Sequence, residues 1–151
     1  MGMLFALFLT LLMAGPRPAK PDVLYLVHAD NLIETEQKTA TEERKGSAKK
    51  PVVTYVVAGA GSPVKTPLAS PIFMMLAKDL DPSHLEIYRM ESRDGRREII
   101  LNAKQQARRI GLTVTPLEDG LFRVEVADSL PNGEYVVTPS GSNLVFAFAV
   151  D

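Results

Sequence analysis

Gly59-Ala60-Gly61-Ser62 is the first of several segments whose residue types could support chemistry. It follows an apolar run, and its backbone amides could cradle a phosphate group. A phosphate loop needs a helix directly after it, and three prolines, Pro63, Pro67 and Pro71, exclude one here. The Gly-Lys-Ser/Thr ending is also missing. We therefore expect an exit from a strand into a loop, where glycine supplies unusual backbone angles.

A possible metal site lies a little further along the chain. Asp79, Asp81 and His84 could supply carboxylate and imidazole ligands from a single turn. The spacing lacks the glycine and the distant bidentate glutamate of a helical calcium loop. Asp-Pro-Ser is also a typical turn sequence. We therefore expect an ordinary turn at residues 79–83, and we assign no metal ligand and no cofactor.

Catalysis by a serine, a histidine and an aspartate would need one of only two histidines, His28 and His84. His28 ends a predicted strand beside Asp30, and no serine lies in the nucleophile sequence Gly-x-Ser-x-Gly. Glu118 and Asp119 are adjacent before a glycine, whereas the carboxylates of glycosidases usually come from separate strands. We expect an exposed strand-end histidine and turn carboxylates. The prediction is no enzymatic activity and no catalytic residue.

Tyrosines and arginines are the remaining candidates for binding. Sugar-binding β-sandwiches usually display flat aromatic side chains, and this chain has no tryptophan and only 7% aromatic residues. Exposure of Tyr25, Tyr55 and Tyr88 in one row would favour a sugar site. Five arginines are close in sequence, and we expect them on a solvated surface: Arg93, Arg96, Arg97, Arg108 and Arg109. The ligand-binding residues are left open.

Size and composition restrict the class of protein. A chain of 151 residues with 46% hydrophobic content supports one domain with its own core. The formal net charge of -1 provides no overall field that would attract nucleic acid. There is no cysteine, which excludes disulfides, thiolate metal sites and a cysteine nucleophile.

The N-terminus has the features of a targeting segment. Residues 4–14 are apolar without interruption and are followed by Gly15-Pro16. This length suits the core of a signal peptide and is shorter than the roughly 20 residues of a membrane-spanning helix. We predict a signal peptide at residues 1–15, a Pro-rich linker at 16–21 and a folded domain at 22–151. A buried N-terminal element of the mature fold is the alternative.

The end of the chain predicts the architecture most directly. Two runs rich in β-branched and aromatic residues, 134–138 and 144–150, flank a Pro-Ser-Gly-Ser-Asn segment, as in an antiparallel hairpin. In the second run, four large side chains alternate with three smaller ones: Leu144, Phe146, Phe148 and Val150 against Val145, Ala147 and Ala149. A strand that is apolar on both faces belongs in the middle of a layered β-structure.

Upstream runs complete the predicted fold. Strands are expected at Val23–Ala29, Leu32–Thr41, Val52–Ala58, Ile72–Ala77, Leu85–Glu91, Glu98–Leu101, Leu112–Pro116 and Leu121–Ala127. Asp94-Gly95 is expected to close a tight hairpin. Glu42–Lys50 is expected to be a solvated, mobile loop, Pro63–Pro71 an irregular edge and Asn102–Ile110 a short helix. About eight to ten strands predict an all-β, immunoglobulin-like antiparallel β-sandwich.

Three groups of turn and core residues carry a resemblance that covers most of the predicted mature chain. They are Gly61-Ser62-Pro63-Val64 before Pro71-Ile72-Phe73, Leu85–Met90 before Arg97-Glu98-Ile99, and Leu130–Tyr135 before Phe146–Asp151. On these residues the chain resembles a group of uncharacterised secreted bacterial β-sandwich proteins, which implies a fold and no chemistry. Leu-Pro-Asn-Gly-Glu-Tyr also resembles the turn before a late strand of immunoglobulin-like sandwiches, where a tyrosine hydroxyl bonds back to the backbone.

These observations predict an exported, non-enzymatic structural or protein-interaction module, secreted or periplasmic in a bacterium. A partner in the envelope or outside the cell would add a strand to an exposed sheet edge. The Pro63–Pro71 segment and the Glu42–Lys50 loop would discourage such pairing on one side. The alternative is a ligand-binding module for a carbohydrate or a divalent metal, and a small hydrolase comes third. We predict no nucleic acid partner and no membrane span in the mature chain.

Overall fold

The computed structural model describes residues 16–101 and 110–151, and this part of the protein is almost entirely β-structure. One 3-10 turn, Pro82–His84, precedes β8. The thirteen strands are β1 Leu24–His28, β2 Asn31–Glu34, β3 Glu36–Thr39, β4 Thr41–Ser47, β5 Lys50–Ala58, β6 Lys65–Thr66, β7 Ile72–Leu76, β8 Leu85–Arg93, β9 Arg96–Leu101, β10 Leu112–Glu118, β11 Leu121–Val126, β12 Gly133–Pro139 and β13 Leu144–Val150. The predicted signal peptide lies outside the described residues, as does all of the predicted helix except Ile110.

Two antiparallel sheets pack face to face. The five-stranded sheet has the order β10-β11-β7-β1-β2, and the eight-stranded sheet has the order β3-β13-β12-β8-β9-β5-β4. The short β6 pairs in parallel with β13 beside β3. The prediction of an all-β protein with two packed antiparallel sheets is confirmed. The strand number was underestimated, because the predicted second strand is divided and two predicted irregular segments contain further strands.

Large side chains fill the space between the two sheets. Phe73 of β7 meets Phe148 of β13 edge to face, with ring centroids 5.0 Å apart, and Tyr135 of β12 stacks on Phe148 at 5.6 Å. All three side chains are fully buried, as is Phe146 beside them. Burial of such a ring contributes about 1.5–3 kcal/mol to folding. The core therefore lies where the pattern of β13 predicted it.

The eight-stranded sheet closes on itself. Its two ends, β3 and β4, are separated in the chain by one residue, Ala40. The amide of Ala40 donates to the carbonyl of Asn143 at 2.7 Å, next to β13, while Thr41 directly after it pairs with Val56 of β5. One nearly continuous strand thus bonds to β13 with its first half and to β5 with its second. We call this arrangement the closed sheet.

The interior of the closed sheet is a second, smaller apolar cluster. Its side chains come from five strands and from Ala40, which lies between β3 and β4: Ala40, Val57, Met90, Ile99, Val136, Val145 and Ala147, with Tyr55 and Tyr88 packed against them. Five of the seven buried members are alanine or valine, which suits the limited space inside a closed sheet of few strands. The predicted alternation of β13 is confirmed, since Phe146 and Phe148 face one core while Val145 and Ala147 face the other.

Strands β8, β12 and β13 are therefore shared by both cores. Ile87, Val137 and Phe146 point toward the five-stranded sheet. Their neighbours Tyr88 and Val136 point into the closed sheet. β12 and β13 are buried on both faces over most of their length, which explains why the sequence of β13 contains no polar residue, whereas the second half of β8 is largely exposed.

Two local features form as predicted, one hairpin turn and one tyrosine corner. Asp94 and Gly95 have φ values of 51° and 76°, so both central residues of the β8–β9 turn adopt the left-handed conformation that Asp-Gly favours. Tyr135 is the predicted corner residue, and its hydroxyl donates to the carbonyl of Pro131 at 2.5 Å. These local signals were sufficient because each depends on residues close in sequence.

Two predictions about polar segments were wrong. The expected strand Leu32–Thr41 is divided, because the chain passes from the five-stranded sheet to the closed sheet at the buried Thr35, whose hydroxyl donates to the carbonyl of Leu24 at 2.6 Å. The expected loop Glu42–Lys50 is mostly β4, paired with β5 from Thr41 to Ser47. The side chains of β4 have low β-propensity, and the backbone of β5 supplies the pairing that they do not favour.

Residues 16–22 contact the five-stranded sheet. The Lys20 amide donates to the Tyr25 hydroxyl at 3.1 Å, and the Arg17 guanidinium meets the Glu118 carboxylate at 2.6 Å. The Asp22 amide bonds to the carbonyl of Leu76 at 2.8 Å. The Pro-rich segment predicted as a linker is thus held against the domain over this range.

Candidate functional site

One end of the closed sheet opens into a pocket of about 220 Å³. Its lining comes from five strands and the β12–β13 turn: Ala40, Tyr55, Glu86, Tyr88, Ile99, Thr138, Pro139, Gly141, Ser142, Asn143 and Val145. The volume is below the roughly 300–1,000 Å³ of sites that hold a whole drug-sized ligand. It suits a single chemical group, such as one side chain of another protein.

Two tyrosines line this pocket because of their strand register. Tyr55 of β5 is directly opposite Ile99 of β9, and Tyr88 of β8 is opposite Val136 of β12. Side chains directly opposite each other share a face of the sheet, so both tyrosines lie on the interior side of the closed sheet. Tyr25 is 5% exposed and lies in the other sheet. The row of three exposed tyrosines that would favour a sugar site is not formed.

Polar groups surround the pocket and fix its wall. The Tyr88 hydroxyl donates a short hydrogen bond to the Glu86 carboxylate, two residues earlier on the same face of β8. The Thr138 hydroxyl donates to the carbonyl of Leu144 at 2.7 Å, and the Leu144 amide donates to the Ser142 hydroxyl at 3.1 Å. The hydroxyls of Thr138 and Ser142 therefore tie the β12–β13 turn to the start of β13.

A buried ion cluster fills the opposite end of the closed sheet. The side chain of Arg97 is fully buried, and its Nη1 lies 2.6 Å from Glu36 Oε1 and 3.8 Å from Glu134 Oε1. The Arg97 Nε donates to the carbonyl of Gly59 at 2.9 Å, and Nη2 donates to the carbonyl of Ala58 at 2.7 Å. The guanidinium thus joins β9, β3, β12 and the end of β5.

The location of Arg97 contradicts the prediction of a solvated arginine cluster. Arg97 and Ile99 are two residues apart in β9 and therefore share one face of the strand. This face is turned to the interior of the closed sheet. Arg93 is exposed, as predicted, and Arg96 is half-buried between Glu43 and Glu98. Arg108 and Arg109 lie outside the described residues. The spacing of two residues between Arg97 and the apolar Ile99 was the sequence signal that could have identified the buried arginine.

The Gly59–Ser62 segment binds charged groups of its own chain. Its first carbonyl accepts from Arg97, and the Ser62 amide donates to Glu134 Oε1 at 2.6 Å. Gly59 has a φ of 92°, which a residue with a side chain rarely adopts. The segment is a strand exit, as predicted, and its polar backbone groups close one end of the closed sheet.

The predicted turn around Asp81 also uses its carboxylates locally. Asp81 Oδ1 accepts from the amide of Ser83 at 2.9 Å and from its hydroxyl at 2.6 Å, and these bonds lower the pKa of Asp81. The Asp81 carboxylate is 3.8 Å from His84 Nε2, and both side chains are exposed. Over residues 16–101 and 110–151, no three histidine, aspartate or glutamate side chains are grouped as metal ligands would be.

The amides before this turn bind a carboxylate from elsewhere. Asp22 Oδ1 accepts from the backbone amides of Lys78, Leu80 and Asp79 at 2.8–3.1 Å. Burial opposes ionisation of Asp22, but the three amides outweigh it and lower the pKa of the carboxyl group. The turn therefore presents hydrogen-bond donors to an anion of its own chain.

The candidate catalytic residues do not come together in the described structure. His28 is exposed at the end of β1, and His84 is exposed at the 3-10 turn. Glu118 pairs with Arg17, and Asp119 precedes Gly120 in the β10–β11 turn. None of these side chains lines the pocket.

Comparisons with family models, curated proteins and solved structures found no match to this chain. Within the described ranges, no helix has the length and apolar character needed to cross a bilayer. The pocket could not be found by sequence reasoning, because its lining residues are far apart in the chain. Alternation in each strand identified interior faces, but it did not indicate that β3 and β5 would meet.

Proposed function

We propose that this chain is an exported, non-enzymatic interaction module that receives one side chain of a partner protein in the pocket of the closed sheet. The observation that carries the proposal is the size and lining of this pocket. A space of about 220 Å³ with two tyrosine rings over an apolar floor suits a single anchoring side chain. Anchors of this kind provide much of the energy of many protein interfaces.

The sheet edges give less support to strand addition. The Ala127 amide donates to the carbonyl of Gly111, and in an antiparallel pair every second residue bonds to the neighbouring strand. The backbone groups of Thr113 therefore point toward β11. Those of Val114 and Pro116 point outward, to the free side of β10. Pro116 has no amide hydrogen, which interrupts this edge. At the other edge, β2 is four residues long and alternate residues point outward. Pairing at an edge therefore remains a secondary mode of contact.

Export rests on the apolar run at residues 4–14, and the envelope or the extracellular space is the proposed location. Amino-terminal sequencing of the protein purified from a secreting bacterium tests this part. Removal of about the first 15 residues would support export. A mature protein that retains the apolar run would contradict it.

A photo-crosslinking experiment tests the interaction. A benzophenone amino acid would replace the exposed Ser140, beside the pocket but outside its lining, or, as a control, the exposed Lys78 on the far turn, in cells that make the protein natively. We expect a discrete adduct with one partner from position 140 and none from position 78. Filling the pocket with Val145→Phe should abolish it. An adduct that persists after filling, or no adduct at all, would refute the proposal.

Val145→Phe could disturb the fold, since Val145 is 3% exposed. Tyr55→Ala provides an independent variant, because it removes a ring from the half-buried wall. Both variants are first checked by circular dichroism, and a folded Tyr55→Ala protein should also lose the adduct. A small-molecule binding module is the second candidate function, favoured by the two tyrosines in one pocket. Competition of a sugar with the crosslink would support that candidate.

A further inference from the structure

The β4–β5 hairpin extends beyond the other strands of the closed sheet. In the described part of the chain, β9 pairs with β5 only as far as Val53. Three further residue pairs join β4 to β5 before the turn, and the last of them is Lys50 with Ser47. At about 3.3 Å per residue, these pairs carry the turn about 10 Å beyond Val53. Residues 44–50, which we call the hairpin tip, are all exposed.

The hairpin tip is strongly basic. It contains no acidic residue, and its four basic residues are Arg44, Lys45, Lys49 and Lys50. The whole chain has a formal net charge of -1, so the rest of the protein has a net negative charge. Positive charge is therefore concentrated at one projecting end. A protein with this asymmetry is turned tip-first toward a negatively charged surface.

The carboxylates at the base of the hairpin are already engaged. Glu42 pairs with Arg44 at 3.1 Å, and Glu43 accepts from Arg96 at 2.8 and 3.0 Å. Lys45 adds only a longer-range attraction for Glu43. Among the described residues, no carboxylate forms an ion pair with any of the three lysines of the tip: Lys45, Lys49 and Lys50. Their ammonium groups are therefore available to an external anion.

Two of these lysines lie on one face of the hairpin. Lys45 is opposite Val52 in the ladder, and Lys50 is opposite Ser47, two residues further along. Lys45 and Lys50 are therefore diagonal neighbours, at a spacing of about 7–8 Å. Their like charges repel each other, and an anion between them would relieve this repulsion. The Ser47 hydroxyl accepts from the Lys50 amide at 3.2 Å and can still donate its own proton to the same anion.

We propose that the hairpin tip binds the phosphate groups of an anionic phospholipid surface. This inference goes beyond the proposed function and does not use the pocket. Lysine is a flexible point charge, whereas arginine provides a planar fork for shaped, bidentate sites. A projecting tip with three lysines and one arginine therefore fits an extended layer of phosphates better than a shaped surface of a folded protein.

The length of the tip matches the range of the interaction. At physiological ionic strength, the field of a charged surface is screened over about 8 Å. The tip projects by about 10 Å, so its lysines can enter this layer while most of the negatively charged remainder stays outside it. A basic residue in the layer strengthens binding about fivefold. Several such residues together give measurable attachment without an inserted apolar segment.

A vesicle sedimentation experiment tests the proposal. The protein purified from the secreting bacterium is mixed with vesicles of phosphatidylcholine alone, or of phosphatidylcholine and phosphatidylglycerol in equal parts. We expect the protein to sediment with the anionic vesicles and not with the neutral ones. Residues 4–14 carry no charge, so they would affect both lipids alike. Binding should weaken as salt is raised from about 0.1 M to about 1 M, because the screening length falls from about 10 Å to about 3 Å.

Variants with matched charge locate the binding surface. Lys45→Gln with Lys50→Gln removes two charges from the tip and should weaken binding to anionic vesicles roughly 25-fold. Lys45→Arg with Lys50→Arg keeps the charges and should stay within about twofold of the parent protein. Lys38→Gln with Lys78→Gln is the control, because both residues are exposed, lie outside the tip and give the same change in net charge. This control should also stay within about twofold. Circular dichroism checks that each variant is folded.

Inorganic phosphate separates a lipid surface from a site for a single anion. Added at constant ionic strength, it should not release the protein from the vesicles, because one ion replaces only one of several simultaneous contacts. Release by phosphate would overturn the membrane assignment in favour of a discrete phosphate site.

The remaining outcomes are equally decisive. Equal sedimentation of the parent protein and folded Lys45→Gln, Lys50→Gln would overturn the role of the tip, as would an equal loss in the control variant. If the parent protein binds poly-glutamate but not the anionic vesicles, the partner is an acidic polymer and the proposal fails. It fails also if the parent protein binds neither.

Discussion

Replacement of Arg97 by methionine tests whether the buried ion cluster holds the closed sheet together. Methionine retains an unbranched stem and removes the guanidinium. Glu36 and Glu134, whose side chains are 14% and 18% exposed, would then lose the cation that lies between them. The carbonyls of Ala58 and Gly59 would lose their donors as well.

The expected loss of stability is large. Removing one partner of a buried ion pair costs about 3–5 kcal/mol, because the opposite charge remains buried without compensation. For a domain of this size, 1 kcal/mol lowers the melting temperature by about 2–4 °C, so we expect a decrease of roughly 6–20 °C. Urea unfolding followed by far-ultraviolet circular dichroism measures the free energy of unfolding directly.

Arg93→Met is the matched control for this experiment. Arg93 lies in the same hairpin, its side chain is 57% exposed, and it is 3.8 Å from Glu91. Exposed pairs contribute little, so this variant should remain within about 0.5 kcal/mol of the parent protein. The double variant Arg97→Met, Glu36→Gln should lose less than the sum of its single variants, because the two residues are coupled. If Arg97→Met costs no more than Arg93→Met, the cluster does not hold the closed sheet.

Four further predictions concern other contacts. Tyr135→Phe should cost about 0.5–1.5 kcal/mol in urea unfolding, because it removes the hydroxyl bond to Pro131, and no change would exclude a structural role for that bond. Burial raises the pKa of Tyr135, so the unfolded phenol ionises first, and stability should fall as the pH rises above about 10, less steeply in Tyr135→Phe. The pKa of Asp22 is lowered in the folded protein, so its contribution to stability is complete above about pH 4 and is lost as the pH falls through the folded pKa. Asp22→Asn should therefore flatten the acid side of a plot of melting temperature against pH. An unaltered slope would contradict this account. Gly46 has a φ of 88°, and a Cβ there would lie 2.4 Å from the Lys50 carbonyl oxygen. Gly46→Ala should therefore strain the β4–β5 turn and accelerate hydrogen exchange of the β4 amides, while the Tyr135 amide remains protected. Exchange of the β4 amides at the parent rate would disprove the strain.

The sequence predicted those parts of the fold that depend on short-range patterns. Alternation in β13 predicted a strand buried on both faces, and Asp94-Gly95 predicted a tight hairpin, because both signals lie within a few residues. The pairing of β4 could not be predicted, since Glu42, Lys45 and Gly46 have low β-propensity and the strand depends on its partner. Ordinary local patterns also did not indicate that the sheet would close at Ala40.

The candidate site was less predictable than the fold. Tyr55 and Tyr88 were recognised as strand tyrosines, but their approach depends on the order of strands around the closed sheet. Arg97 was expected at the surface because most residues near it in the sequence are charged. Its position two residues before Ile99 indicated that both side chains share one face of β9, and this face is buried.

The sharing of β8, β12 and β13 has a consequence for how the domain comes apart. Two hydrophobic interiors usually suggest two units that can melt separately, but here each interior would lose one wall if the other opened. Loss of order at Phe148 would therefore remove the support of Ala147 on the other side of the same strand. Despite its two cores, the protein should melt in one step, and a disturbance in either core should be felt in both.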